Sequence, residues 1–413
     1  MQISQFKKHE VLISNFSYLS VLQLFQLLLP LITYPYLIRV LGKENYGVVV
    51  VSNAIIAYLS VFINFGFDIS ETKQISVDRD DANKVSEIIS TVFTVKIVFT
   101  FLAILGLLML LIVIPELNKH KLLYMASIAI LLDVAVNPRF YFQGTEKMKF
   151  ITYLTISSKL IFLILIFVVI KTPAHYILVP LLTGVGALLS SIIGVIIIFK
   201  EQGIHFVLPT IHNIKRTFQN SLPFFSSRLS VLAISRTNVI LIGAFVGYTE
   251  VSYYDLAEKL VNVMKMPFNT LNQVLFPNVA KTKNINLVKK TLRYLILIYI
   301  LGYFSLYIFS ESLINLFGGS ELLPARFVLY VLGITAITEL LSVFLGAPIL
   351  LVMGYKKEYN SSIIWGSLFY AILVLVLYLN SYIGLYTIAI VAVAVSSFIL
   401  IYRLVYCRKH ELI

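Results

Sequence analysis

The run IFLILIFVVI at residues 161–170 holds no charged side chain, and AILVLVLYLN at 371–380 repeats the pattern in the second half of the chain. Hydrophobic residues make up 59% of the 413 and charged ones 13%, far from the nearly even apolar share of a soluble domain. A bilayer, not water, is therefore the solvent for most of this surface. At about 20 apolar residues per crossing, the sequence predicts an all-α polytopic membrane protein of about twelve transmembrane helices. They fall near 14–38, 46–67, 86–114, 121–142, 150–170, 175–199, 219–244, 251–276, 289–310, 325–353, 360–380 and 383–405.

The opening MQISQFKKHE and the apolar stretch after it read as the first span, since that stretch is too long for a signal peptide and lacks a small-residue cleavage site. Cys407 is the one cysteine, so no disulfide framework or cysteine metal site is expected within one chain. Orientation follows from the 33 Lys and Arg residues, because short basic loops stay on the cytoplasmic side. With the N-terminus inside, 21 fall on cytoplasmic segments, among them Lys7, Lys8, Lys215, Arg216, Lys289 and Lys290, and six on outer ones. Both termini are expected in the cytoplasm. The net charge of +13 is then explained by topology and contact with anionic membrane lipid, and no nucleic-acid partner is expected.

A weak internal repeat appears at an offset near half the chain length. LGKENYG (41–47) matches VGYTEVSYY (246–254), Asn15 matches Asn220, and FQGTEKMK (142–149) matches VMGYKKEY (352–359), pairing Gly144 with Gly354 and Lys147 with Lys357. The repeat predicts two six-helix lobes, 1–206 and 207–413, joined near KEQGIHFVLPTIHNIKRTF (200–218). Six being even, both lobes have the same orientation, about an axis along the membrane normal, with a central cavity between them as the substrate path. Generic turns and cytoplasmic anchors are the competing explanation of the same matches.

Charges inside spans carry the functional signal, since each costs about 2.5 to 3.5 kcal/mol at the centre of a lipid-facing helix. Lys96, Lys159, Arg228, Arg236, Lys259 and Lys265 are the bases; Asp133, Asp255, Glu258 and Glu339 are the acids, with Asp68 and Glu71 at the inner end of span 2. Arg228 and Arg236, eight residues apart, fall about 80° apart around a helix and can line one wall. On span 8, Asp255, Glu258, Asn262 and Lys265 share one stripe. Arginine forks suit phosphate oxygens, so this pattern points to an anionic, phosphate-bearing cargo. The bland readings are also open. Lys96 is expected to snorkel to a span end, Asp133 with Asn137 before Pro138 can hold a kinked helix, and Glu258 can neutralise Lys259 or Lys265. Glu339 reads equally as an ion site or as a structural partner. No GxxxxGK[ST] or HExxH motif occurs, and no outer loop exceeds about 15 residues, which argues against an enzyme.

YPYLIRVLGKENYGVVVVSNAIIAYLSVFINFGFDISETKQIS (34–76), NPRFYFQGTEKMKFIT (137–152), GYTEVSYYDLAEKLV (247–261) and PFNTLNQVLFPNVAK (267–281) follow in family order and spacing. Together they resemble bacterial polysaccharide flippases of the multidrug/oligosaccharidyl-lipid/polysaccharide exporter superfamily. The resemblance implies an alternating-access carrier in the bacterial inner membrane. Its expected cargo is an undecaprenyl-pyrophosphate-linked O-antigen or capsule repeat unit, moved from the inner to the outer leaflet. It further implies a cavity lined by spans 1, 2, 7 and 8. Arg39, Arg228, Arg236, Lys265 and Lys159 are the expected substrate contacts, and Asp68, Asp133, Asp255, Glu258 and Glu339 the expected ion-coupling residues. A proton or sodium gradient is the expected drive, with no cofactor, and a polysaccharide polymerase and chain-length regulator are the expected partners. A cation-coupled multidrug exporter and a membrane-embedded glycan polymerase or transferase are the alternatives.

Overall fold

A computed structural model describes the backbone of residues 2–200 and 203–412, with side chains described from Asn15 onward except at positions 16, 19, 27 and 274. Lys7 and Lys8, used above for orientation, lie outside the described side chains. Every regular element among the described residues is helical. Helix α1 (Gln2–Asn64) is two legs meeting at Gly42, whose φ of 76° and ψ of 162° turn the chain between them. A side chain at that φ is strained, and glycine removes the penalty. There follow α2 (Phe67–Asp78), α3 (Ala82–Val113), α4 (Pro115–Asn118), α5 (Lys121–Val136), α6 (Arg139–Gly144), α7 (Met148–Val169) and α8 (Leu178–Lys200). The second half holds α9 (Ile211–Phe245), α10 (Tyr248–Thr282), α11 (Ile285–Gly318), α12 (Ala325–Phe344), α13 (Lys356–Leu379) and α14 (Leu385–Lys409).

Among the described residues, ten stretches are long and apolar enough to cross a bilayer. The first, Ser20–Asp78, contains both legs of α1, and α10 is missing from the ten because Asp255, Glu258, Lys259 and Lys265 interrupt its apolar run. Counting both gives the twelve helices that the hydropathy pattern predicts.

The chain divides into two compact units, Met1–Leu229 and Ser230–Ile413. The division falls inside α9, beyond the basic connection, because the first part of α9 packs on α2. Phe218 and Phe225 stack on Phe65 with ring centroids 4.6 and 4.4 Å away. The Ser70 and Ser221 hydroxyls lie 2.6 Å apart, and Gly66, at φ 83°, brings the chain so close that a Cβ there would sit 2.9 Å from Ser221 O and Phe225 N. The connection itself is strapped to α3, where Ser86 Oγ accepts from His205 N at 3.1 Å and Ser90 Oγ from Val207 N at 3.0 Å.

Within the first unit α5 and α8 pack backbone to backbone. A Cβ on Gly184 would lie 2.5 Å from Ile130 N, the small-residue contact by which helices associate where no hydrophobic force drives them together. In the second unit Gly366 of α13 leaves room for the Ile399 side chain of α14, whose Cγ1 would lie 2.6 Å from a Cβ there.

Backbone geometry sharpens the repeat. Gly42 and Gly247 (φ 147°, ψ 164°) occupy matching turns before the second span of each half. The other match has a different register from the one read from residue identity. Glu146 (φ 60°) is the left-handed counterpart of Gly354 (φ 97°), Lys147 N donates to Phe142 O at 2.8 Å, and Tyr355 N donates to Leu350 O at 2.9 Å. Gly144 is instead helical, and it is small because Ile75 would lie 2.7 Å from any Cβ there.

Span 4 and its repeat, span 10, are both broken. In the first unit α5 ends at Val136 and Asn137–Pro138 leads into α6. Lys96 corrects the snorkelling expectation: it is 1% exposed, donates to Asn137 O at 3.3 Å and lies over the Phe140 ring. The break exposes a carbonyl that a buried ammonium can satisfy. In the second unit a π-helical turn, Leu345–Leu351, contains Pro348. Arg403 supports it from α14, donating to Ser342 O at 2.7 Å, Ser342 Oγ at 3.1 Å and Ser362 Oγ at 3.0 Å.

Candidate functional site

The 3.6-residue period places Glu258, Asn262 and Lys265 on one face of α10, and that face borders a cavity of about 360 Å³ inside the second unit. α9 adds Arg236 and Asn238, α12 adds Glu339, and α14 adds Ser396. Lys265 Nζ meets Glu339 Oε1 at 2.6 Å. Asp255 shares the α10 stripe in sequence but is buried and paired with Lys259 one turn on. The lining bears two bases, Arg236 and Lys265, and two acids, Glu258 and Glu339. It is formally balanced.

Residue pattern alone did not single out Asn238, Tyr254 and Tyr370. Asn238 Nδ2 donates to Tyr254 Oη at 2.8 Å, and Tyr370 Oη donates to Asn238 Oδ1 at 2.8 Å. This buried chain ties α9, α10 and α13 together on one wall. A polar amide inside an apolar span is the signal that marks it.

The other predicted residues lie in the first unit. Asp133 and Lys159 border a cavity of about 270 Å³ between α5, α7 and α8. Asp133 Oδ1 accepts from Ser191 Oγ at 2.5 Å, and Asn137 and Pro138 border the same space, so the kinked-helix reading of Asp133 describes its setting well. Arg228 Nη2 stands 3.9 Å from Asp68 Oδ2. Arg228 and Arg236 therefore share a helix but serve different units. Arg39 is exposed on the first leg of α1, outside both cavities. Glu71 is fully buried; in the amide orientation that satisfies both of its atoms, Gln74 donates to Glu71 Oε2 at 3.2 Å and accepts from Arg216 Nη2 at 3.3 Å.

A family model described as "Polysaccharide biosynthesis protein" matches residues 12–283. A protein of Escherichia coli (strain K12) named "Putative O-antigen transporter" is 30% identical over 87% of this chain and 88% of its own. One of the same name from Shigella dysenteriae is 27% identical over 62% of this chain and 64% of its own. Among solved structures, the lipid II flippase MurJ in an inward closed conformation aligns with a TM-score of 0.74, covering 94% of this chain and 87% of that one at 15% identity. An inward-facing multidrug resistance MATE family transporter of the MOP superfamily aligns with a TM-score of 0.72, covering 92% and 94% at 12% identity. At these identities the two structures show a shared fold.

Proposed function

We propose, from the premise that this chain belongs to the polysaccharide biosynthesis protein family, that it is a flippase for a polysaccharide repeat unit. Its cargo in this reading is an undecaprenyl-pyrophosphate-linked O-antigen or capsule unit, carried from the inner to the outer leaflet of the bacterial cytoplasmic membrane. The observation that carries the reading is the near full-length identity to a protein named as an O-antigen transporter. The fold of flippases and exporters supports it.

The ion pairs supply a means of coupling. Lys265 is held by Glu339 at 2.6 Å; a proton or cation taken up by Glu339 would neutralise that partner and release the ammonium to an anionic cargo. Glu258, near Arg236, offers the same exchange about two turns away. Arg39 and Arg228 are the cationic contacts on the first unit, with Asp68 the exchangeable partner of Arg228. Both termini lie in the cytoplasm in this scheme, and the exported unit passes to a polymerase and a chain-length regulator.

Expression in a strain lacking its own repeat-unit flippase tests the reading. Wild-type chain restores surface polysaccharide, and Arg236→Ala lowers it at least about tenfold at equal membrane abundance, the scale expected for one lost charge-assisted contact. Restored drug tolerance without surface polysaccharide would replace the reading with multidrug export. Polymerised product made by the purified chain from lipid-linked units would replace it with catalysis.

A further inference from the structure

The cavity of the first unit differs from its counterpart in holding donors that no acceptor engages among the described residues. Thr155, Ser158 and Lys159 lie within two turns of α7 and border the cavity together. Ser158 is only 8% exposed, and neither its hydroxyl, nor that of Thr155, nor the Lys159 ammonium has a hydrogen-bond or ion-pair partner among the described residues. A Cβ on Gly186 would stand 3.3 Å from Ser158 O and 3.7 Å from Ser158 Oγ, so α8 passes close beside this part of α7.

The charged groups around this space are few. Asp133 is engaged by Ser191 at 2.5 Å, Arg139 stands at the border, and Lys96 is occupied by Asn137 O at 3.3 Å. Bases outnumber the single acid. Four other cations within the spans have direct partners: Arg228 has Asp68, Lys259 has Asp255 and Lys265 has Glu339, while Arg403 has its serines. An ammonium and buried hydroxyls without acceptors are costly at membrane depth. Their convergence on one cavity is the arrangement that stabilises a small anion.

We propose that the cavity between α5, α7 and α8 binds a monovalent anion of chloride size, held by Lys159 Nζ and the Ser158 and Thr155 hydroxyls. This site lies inside one unit and is separate from the cargo contacts assigned to Arg236 and Lys265. A ligand that binds only the folded state raises the unfolding temperature with its concentration. The test is thermal unfolding of the purified full-length protein in sodium chloride, sodium gluconate and sodium phosphate at matched ionic strength.

The expected result is a saturable rise of a few degrees in chloride over gluconate. Lys159→Met abolishes that rise, Lys159→Arg retains it, and Ser158→Ala moves its midpoint to about tenfold higher chloride, the loss of one charged hydrogen bond. Equal unfolding temperatures in chloride and gluconate overturn the proposal, as does an undiminished response in Lys159→Met. A response to phosphate alone overturns the assignment of a chloride-sized ligand. Should Lys159→Met not fold, bromide soaked into crystals of the wild-type protein decides: an anomalous peak beside Lys159 supports the site, and its absence overturns it. Loss of polysaccharide export is not the readout, so failure of the flippase reading and failure of the anion site remain distinguishable.

Discussion

Spans 4 and 10 are repeats of one another, and both are broken at a proline, yet a different residue holds each break. In the first unit Lys96 reaches from α3 to a single carbonyl, Asn137 O, at 3.3 Å. In the second, Arg403 reaches from α14 with three hydrogen bonds to Ser342 and Ser362 and stacks over Tyr359. The cavities beside the breaks differ in the same sense: the first presents uncompensated donors, the second two bases matched by two acids. A duplicated backbone thus conserves where a helix must break, because proline removes a donor wherever it occurs. It leaves open which side chain repairs the break, because several neighbouring helices come within reach.

Arg403→Met is the largest test of that contrast. Stripping three charge-assisted bonds from a side chain only 6% exposed should lower unfolding free energy by about 3 kcal/mol, measured by denaturant titration in micelles. Gly66→Ala comes next. It forces a Cβ to within 2.9 Å of backbone atoms of α9 at φ 83°, for about 2 kcal/mol. Span 8, which runs through as unbroken α10, has no matching close turn, so alanine at its exposed residues Asn269, Thr270 and Leu271 should bring no comparable loss.

Lys96→Met should cost only about 1 kcal/mol, since one long bond is lost and a buried charge goes with it. A loss equal to that of Arg403→Met would break the comparison. The smallest effect belongs to the Lys265–Glu339 pair. Glu339 is 43% exposed, so a double-mutant cycle with Lys265→Met and Glu339→Gln should return a coupling under about 1 kcal/mol in stability. Export should respond far more strongly than stability if the pair serves transport.

Much of the scaffold was legible in residue order. Apolar runs count the spans because a crossing needs a fixed length of hydrocarbon-compatible chain, and Gly42 and Gly247 mark the turns because their φ values favour glycine. The stripe on α10 was legible too, since Glu258, Asn262 and Lys265 do border one cavity. Less visible was the small helix α2, which depends on the turn at Phe65–Gly66 and on its packing against α9. The Glu146 register was hidden because residue identity favours Gly144, while left-handed geometry is set by the hydrogen bond from Lys147 N to Phe142 O.

Partner choice is where one-dimensional reasoning stopped. Arg228 and Arg236 lie close around one helix, yet the first faces Asp68 and the second borders a cavity of the other unit. Asp255 and Glu258 share a stripe, yet only Glu258 borders that cavity, while Asp255 is taken up by Lys259.

The amino-acid order by itself determined a twelve-span membrane protein with a twofold repeat and charges buried in identifiable spans, because hydropathy, helical period and glycine turns act over a few residues. Only the tertiary structure decided that the second cavity is charge-balanced, that Lys96 and Arg403 support broken helices, and that Lys159 and Ser158 border a cavity without engaging an acceptor among the described residues. Ion pairing and hydrogen bonding act within a few ångströms between helices far apart in the chain, and no local pattern encodes which of those helices are neighbours.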